Sequence, residues 1–130
     1  MQETHPLVGL LLSRQLKQLG FNEPCFNYYT AEGNSEFSKG HPHDYNDERN
    51  YVDLISSRPD IFQVGKWLRD KKLIHVSVHS PITANSYWYV KIGKVHVNFS
   101  MSMRDGYLSH DSAYLGGLEM AIEHLVSDKQ

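Results

Sequence analysis

At 130 residues, with 40% hydrophobic and 22% charged side chains, the chain suits one domain with a modest core and is unlike a disordered polymer. A formal net charge of −2 excludes the broad basic field of a protein that holds nucleic acid mainly by electrostatics, leaving only local basic patches. The single cysteine, Cys25, excludes an intramolecular disulfide and points to a reducing compartment.

The run Leu7-Val8-Gly9-Leu10-Leu11-Leu12 resembles the apolar part of a signal peptide. Glu3, Thr4, His5 and Pro6 precede it, however, where a basic segment would stand, and Arg14 and Lys17 follow with no small-residue cleavage site. No stretch approaches the roughly 20 apolar residues that cross a bilayer. The expectation is a soluble, cytoplasmic protein.

A first helix is expected from His5 to Leu19, with Thr4 as N-cap and Pro6 in the first turn, where its missing N–H costs nothing. Val8, Leu11, Leu12, Leu16 and Leu19 share one face at helical spacing. Gly20 suits the left-handed residue after the helix, with Phe21 placed to touch Leu16. Cys25 to Thr30 is rich in β-forming residues and reads as a strand. Glu32 to Ser35 reads as a turn and Glu36 to Lys39 as a short return strand. Such a hairpin is marginal alone, so it should join the main sheet or pack on a helix. Gly40 to Asn50 has almost no apolar residue and reads as a long exposed, mobile loop. Tyr51 to Ile55 reads as extended, an edge strand or a cover over the core.

A second helix is expected from Pro59 to Lys71. Ser57 with Asp60 resembles a capping box, and Asp60 with Gln63 offers an alternative register. Ile61, Val64 and Leu68 form its inner stripe, with Trp67 flanking it. Leu73 to Met103 then reads as three strands of period two. Ile74, Val76 and Val78 alternate with His75, Ser77 and His79; Trp88, Val90 and Ile92 alternate with Tyr87, Tyr89 and Lys91. In the third, Val95, Val97, Phe99, Met101 and Met103 alternate with His96, Asn98, Ser100 and Ser102. Pro81 ends the first strand, Gly93-Lys94 fits a two-residue hairpin turn, and Arg104-Asp105-Gly106 reads as a turn. The last helix is expected from His110 to Val126, capped by Ser109. Its Ala113, Gly117 and Ala121 form a ridge almost without side chains, suited to close approach to the sheet, with Trp88 and Phe99 filling the space.

The fold expected is therefore α+β: an antiparallel sheet of three to five strands with helices on one face, and an α-β-β-β-α order at the C-terminal end. One domain spans residues 1–130, with a helix–hairpin unit at 1–39, an exposed connector at 40–58 and the core at 59–130. This order is similar to that of the double-stranded-RNA-binding domain, which reads RNA through shape and phosphate contacts. Ser109-His110-Asp111-Ser112 stands where that domain needs a basic cluster, so topology alone does not transfer the function.

Three motifs also occur together: LKQLGFNEPC from Leu16 to Cys25, KWLRDK from Lys66 to Lys71, and the final helix with Ala113, Gly117-Leu118 and Ala121. In order and spacing they resemble a family of short proteins from bacteriophages, prophages and gut bacteria, typically reading LKELGFDEPC, then KWLREKH, and ending in EEALEAGLxEAL. Asp60 stands where that family tends to have Thr, and Lys72 where it often has His. The resemblance covers nearly the whole chain and implies origin and fold unity, because the family carries no assigned activity.

Candidate sites are few. The polar sheet face carries His75, His79, Tyr87, Tyr89, Lys91 and His96. His75 and His79 lie about 13 Å apart along one strand, too far to share a metal ion. The face could stack bases on Tyr87 and Tyr89 and hold phosphate with Lys91, or be solvated, or be covered by residues 25–39. His41 and His43, near Asp44, Asp47 and Glu48, are only weak candidates for metal ligands, in a loop. Cys25 lacks activating neighbours and reads as a core residue. Ser109, His110 and Asp111 form a hydrolytic set only on paper, since Ser109 suits an N-cap and no nucleophile-elbow, metalloprotease or glycine-rich phosphate motif is present. The expected function is a non-enzymatic accessory or interaction protein without a cofactor, binding another protein or itself; the alternative is nucleic-acid binding through the polar face.

Overall fold

The structure, a computed structural model, describes residues 7–51, 55–80, 87–95 and 100–129. The first helix, α1, covers Leu10–Gln18 and starts after Gly9, later than the expected start at His5. Leu7 pairs in β fashion with Asp60, and the Val8 N–H donates to the Pro59 carbonyl at 3.1 Å. That extended tether holds residues 7–8 out of the helix. Thr4 and Pro6, expected at its start, lie outside the described residues. The helix closes as its sequence requires. Gly20 takes φ +92°, the Phe21 N–H reaches the Leu16 carbonyl and the Gly20 N–H that of Lys17, while Leu16 and Phe21 are both fully buried. Leu11, expected on the inner face, is exposed.

Strands β1 (Asn27–Tyr29) and β2 (Ser35–Phe37) form the expected hairpin, turned by Gly33 at φ +86°. It does not join the main sheet. Its third strand is β3 (Ser56–Ser57), which pairs with the other edge of β1, giving the order β2-β1-β3. Ser13 on α1 fixes this sheet to the helix: its hydroxyl donates to the Ser57 carbonyl and meets the Ser56 hydroxyl at 3.0 Å, all of it buried. Residues 52–54, expected as part of an extended cover, lie outside the described residues.

The connector at 40–50 corrects the expectation of a wholly exposed loop. Cys25 and His43 exchange both backbone hydrogen bonds, at 2.8 and 2.9 Å. Tyr45 is buried, its ring stacked on Tyr28 at 4.3 Å and tilted against Tyr51 at 5.0 Å. The Tyr45 N–H donates to the Ser57 hydroxyl. Asn46 donates to the Phe21 carbonyl at 2.8 Å and accepts from the Ser57 N–H at 2.9 Å. A polar segment is thus anchored by one backbone pair, one buried tyrosine and side-chain to backbone bonds, not by an apolar stripe.

Helix α2 (Ile61–Trp67) is capped by Asp60, whose carboxylate accepts from the Gln63 N–H at 2.8 Å. Of the two registers offered by the sequence, the one with Ser57 is excluded because Ser57 belongs to β3. Ile61, Val64 and Leu68 are fully buried, and so nearly is Trp67, which meets Phe21 edge-on at 5.3 Å instead of merely flanking the stripe. The helix widens into a π-type turn over Leu68–Lys72 and ends at Leu73, which takes φ +57°.

Strands β4 (Ile74–His79), β5 (Trp88–Lys94) and β6 (Ser100–Tyr107) form the second antiparallel sheet in that order. Two expected turns are in fact strand. Gly93 pairs with His75 on one side and Ser100 on the other, so it cannot turn the hairpin. Arg104-Asp105-Gly106 is a β-bulge: Trp88 pairs with Tyr107 and Val90 with Arg104, leaving Asp105 and Gly106 opposite Tyr89, with Gly106 at φ +93°. Turn-forming residues also suit bulges, where one strand must take up an extra residue. A second irregularity lies between Ile92 and Gly93. Pro81, Val97 and Phe99 lie outside the described residues.

Helix α3 (His110–Lys129) runs somewhat longer than expected and is capped by Ser109, whose hydroxyl accepts from the Ser112 N–H at 3.1 Å. It lies across the apolar sheet face, and its small-residue ridge meets Val76 and Val90. A β-carbon on Gly117 would stand 2.5 Å from Val90 Cγ2 and 2.6 Å from Val76 Cγ1, so only glycine permits this approach. Gly65 of α2 likewise abuts the Tyr114 hydroxyl of α3, and Gly116 the ring of Tyr107. Val8, Leu12 and Leu16 join Ile61, Val64, Val76, Val90, Ile92, Leu118 and Ile122 in one buried cluster. The fold is α+β, with two three-stranded antiparallel sheets and the α-β-β-β-α order. Among the described residues, no helix is long and apolar enough to cross a membrane.

Candidate binding face of the C-terminal sheet

Antiparallel pairing places residues directly opposite one another on the same face. Opposite α3, the face carries His75, Ser77 and His79 from β4 and Tyr89 and Lys91 from β5, as period two requires. His79 is opposite Tyr89, and Ser77 opposite Lys91, which is in turn opposite Met103 of β6. Met103 is a correction: the alternation expected along residues 95–103 assigned it to the apolar side. The bulges between β5 and β6 shift the phase, so Met103 faces outward, 61% exposed. Ser102 and Arg104, in exchange, share a depression with Ile92, Met120 and His124 on the side of α3.

The face is partly stiffened by its own contacts. His79 stacks on Tyr89 with ring centres 4.7 Å apart and planes 10° from parallel. The Ser77 hydroxyl lies 3.1 Å from His79 Nε2, and the Lys91 ammonium 5.9 Å from the centre of the Tyr89 ring. Around this core, His75 is exposed and Tyr87, just before β5, is 55% exposed. The β1–β2 hairpin belongs to the other sheet and does not bury these residues. His96 lies outside the described residues.

The other expected sites are not assembled. His41 is exposed, while His43 is tied through its backbone to Cys25 and through its ring edge to Tyr45, at 5.7 Å. Asp44 accepts from the Asn46 N–H, and its carboxyl sits above its ordinary range because of burial. Asp47 is held below it by hydrogen bonds from Arg49. These acids serve local turns. Among the described residues, no three His, Cys, Asp or Glu side chains converge as metal ligands do. His110 lies 3.2 Å from Asp111 at an exposed helix start, but Ser109 is engaged with Ser112.

Cys25 is buried between Ser57 and Gln63, and burial pushes its thiol up to about 12. That is opposite to what a thiolate nucleophile needs. The alternation puts Met103 on the wrong face, and no sequence pattern singles out Tyr28 or Tyr45. The two tyrosines are flagged only by an unusual density of Tyr around a polar loop. Comparison of the chain with protein-family models, with curated proteins and with solved structures gives no match.

Proposed function

We propose that this chain is a non-enzymatic interaction protein, of the phage or mobile-element type its three motifs resemble, and that it engages a protein partner through the open face of the C-terminal sheet. One observation carries the reading: Met103 projects from that face and the exposed Tyr87 directly precedes β5, while Ser77, His79, Tyr89 and Lys91 are already occupied with one another. Tyr and Met are enriched at protein interfaces and Lys is depleted. A face stiffened before binding loses less freedom on complex formation. The buried thiol of Cys25 suits a reducing compartment, and we place the protein in the cytoplasm.

Nucleic-acid binding is the second reading, favoured by Tyr89 and Lys91 sharing one face, with the exposed Tyr87 just before their strand. Against it, Tyr89 already spends one ring face on His79, and the chain is acidic overall.

A photoreactive residue placed at 75, 87 or 103 tests both, with position 32 in the hairpin turn as control. Crosslinks to one protein from the three face positions but not from the control support the protein-partner reading. Fluorescence anisotropy of labelled single- and double-stranded RNA and DNA decides the alternative. Salt-sensitive binding abolished by Tyr87→Ala would replace the first reading with the second.

A further inference from the structure

The C-terminal sheet has two edges, and they differ. β6 is bulged twice against β5 and bears the exposed charges of Arg104 and Asp105. Bulges and charges are the devices by which edge strands avoid pairing with other chains. β4 has none of them. Its six residues pair with β5 in unbroken register, and IHVSVH contains no Pro, Lys, Arg, Asp or Glu. Among the described residues, no strand or isolated bridge takes up its outer edge, and no further backbone hydrogen bond involves residues 74–79.

We propose that β4 pairs with the β4 of a second copy, antiparallel and centred on Ser77, to form a two-fold symmetric dimer with a continuous six-stranded sheet. The occupant is argued from the strand itself, because His75-Val76-Ser77-Val78-His79 reads the same in both directions. A two-fold axis at Ser77 sets Val76 opposite the partner's Val78 and His75 opposite the partner's His79. The valines lie on the side of α3, where Val76 is buried and Val78 half-buried. Their pairing extends the apolar layer under the helices. The histidines lie on the outer face, so apolar meets apolar and polar meets polar at every position. The centre is a small hydroxyl side chain opposite its own copy, and no fixed like charges meet. A self-complementary patch is what an isologous interface requires. This surface is an edge and not the open face, so the inference goes beyond the proposed function. If formed, it makes the two open faces continuous.

The test is sedimentation velocity on the full chain. Wild type is expected at twice the 15.0 kDa chain mass. Ser77→Glu places a carboxylate beside Lys91 of its own chain, a favourable cross-strand pair. In the dimer the same change opposes two carboxylates across the axis, and self-association should weaken by at least about tenfold. Met103→Glu, which faces Lys91 from β6, adds the same charge on the opposite edge strand and should leave the dimer intact. In a Cys25→Ala background, Ser77→Cys should form a covalent dimer on mild oxidation: the backbone groups of Ser77 are directed at β5, so the two copies would meet as a non-hydrogen-bonded pair, with β-carbons about 4.5 Å apart. A wild type that stays monomeric, a Ser77→Glu variant that still dimerises, or an absent Ser77→Cys crosslink would each overturn the proposal. The readout is mass alone, so it stands or falls separately from any ligand of the face.

Discussion

The two three-stranded sheets are held in opposite ways. β4, β5 and β6 are long and are fastened by shape, with valine side chains pressed against a glycine of α3. β1, β2 and β3 comprise two or three residues each and are fastened by hydroxyls, an amide and a tyrosine stack. A sheet closed by apolar contact depends on volume. A sheet too short to bury much surface depends on satisfying each buried polar group, since leaving one unpaired costs more than the bond itself contributes. The first should fail globally when overfilled, and the second locally when a single partner is lost.

Gly117→Val tests the first half and has the largest expected effect. Its new atoms enter the space of Val76 Cγ1 and Val90 Cγ2, which belong to β-branched side chains with little rotamer freedom. Chemical denaturation should show a loss of at least about 3 kcal/mol. Adding Val76→Ala should recover part of that loss, because it empties the contested volume. No recovery would mean that the helix does not sit where the ridge implies.

Tyr45→Ala tests the second half. It deletes a buried ring stacked on Tyr28 and should destabilise by about 2–3 kcal/mol. Hydrogen exchange should rise across residues 25–29 and 43–57 well before it rises in β5, as for a local opening. Uniform acceleration would show that the two sheets unfold as one. Ser13→Ala should cost less, about 1–2 kcal/mol, because it strands the Ser56 hydroxyl and the Ser57 carbonyl.

The same contrast explains what the sequence disclosed. The end of α1 was legible because Gly20 and Phe21 are adjacent to the groups they satisfy. The Ala113-Gly117-Ala121 ridge was legible because its period is that of a helix. Period two likewise placed His75, His79, Tyr89 and Lys91 on one face. The anchoring of residues 43–46 was not legible, since Asn46 reaches Phe21 and Ser57 across 25 and 11 positions and leaves no periodic trace. Met103 was misplaced because one-residue bulges invert the phase without altering the alternation that precedes them. Packing periodicities are written along the chain, whereas polar networks and bulges are decided between segments.

Cys25 sharpens the comparison at the junction of β1 with the 40–50 connector, and its expected effect at neutral pH is the smallest. Burial raises the thiol from 9.0 to about 12, so the folded chain retains a proton that the unfolded chain releases. The thiol's contribution to stability is fully present below pH 9 and declines as pH rises from about 9 toward about 12. At pH 10 the loss should be about 1 kcal/mol. Denaturation midpoints of wild type and Cys25→Ala, measured from pH 7 to 10.5, should converge on the alkaline side, because the variant lacks this titration. At pH 8 the native thiol should react with Ellman's reagent only through opening of the connector, and Tyr45→Ala should speed that reaction about tenfold or more. Equal rates in the two proteins would mean that the Tyr45 stack does not guard Cys25. The polar sheet would then owe its closure to the Ser13–Ser56–Ser57 cluster and the Asn46 bridge.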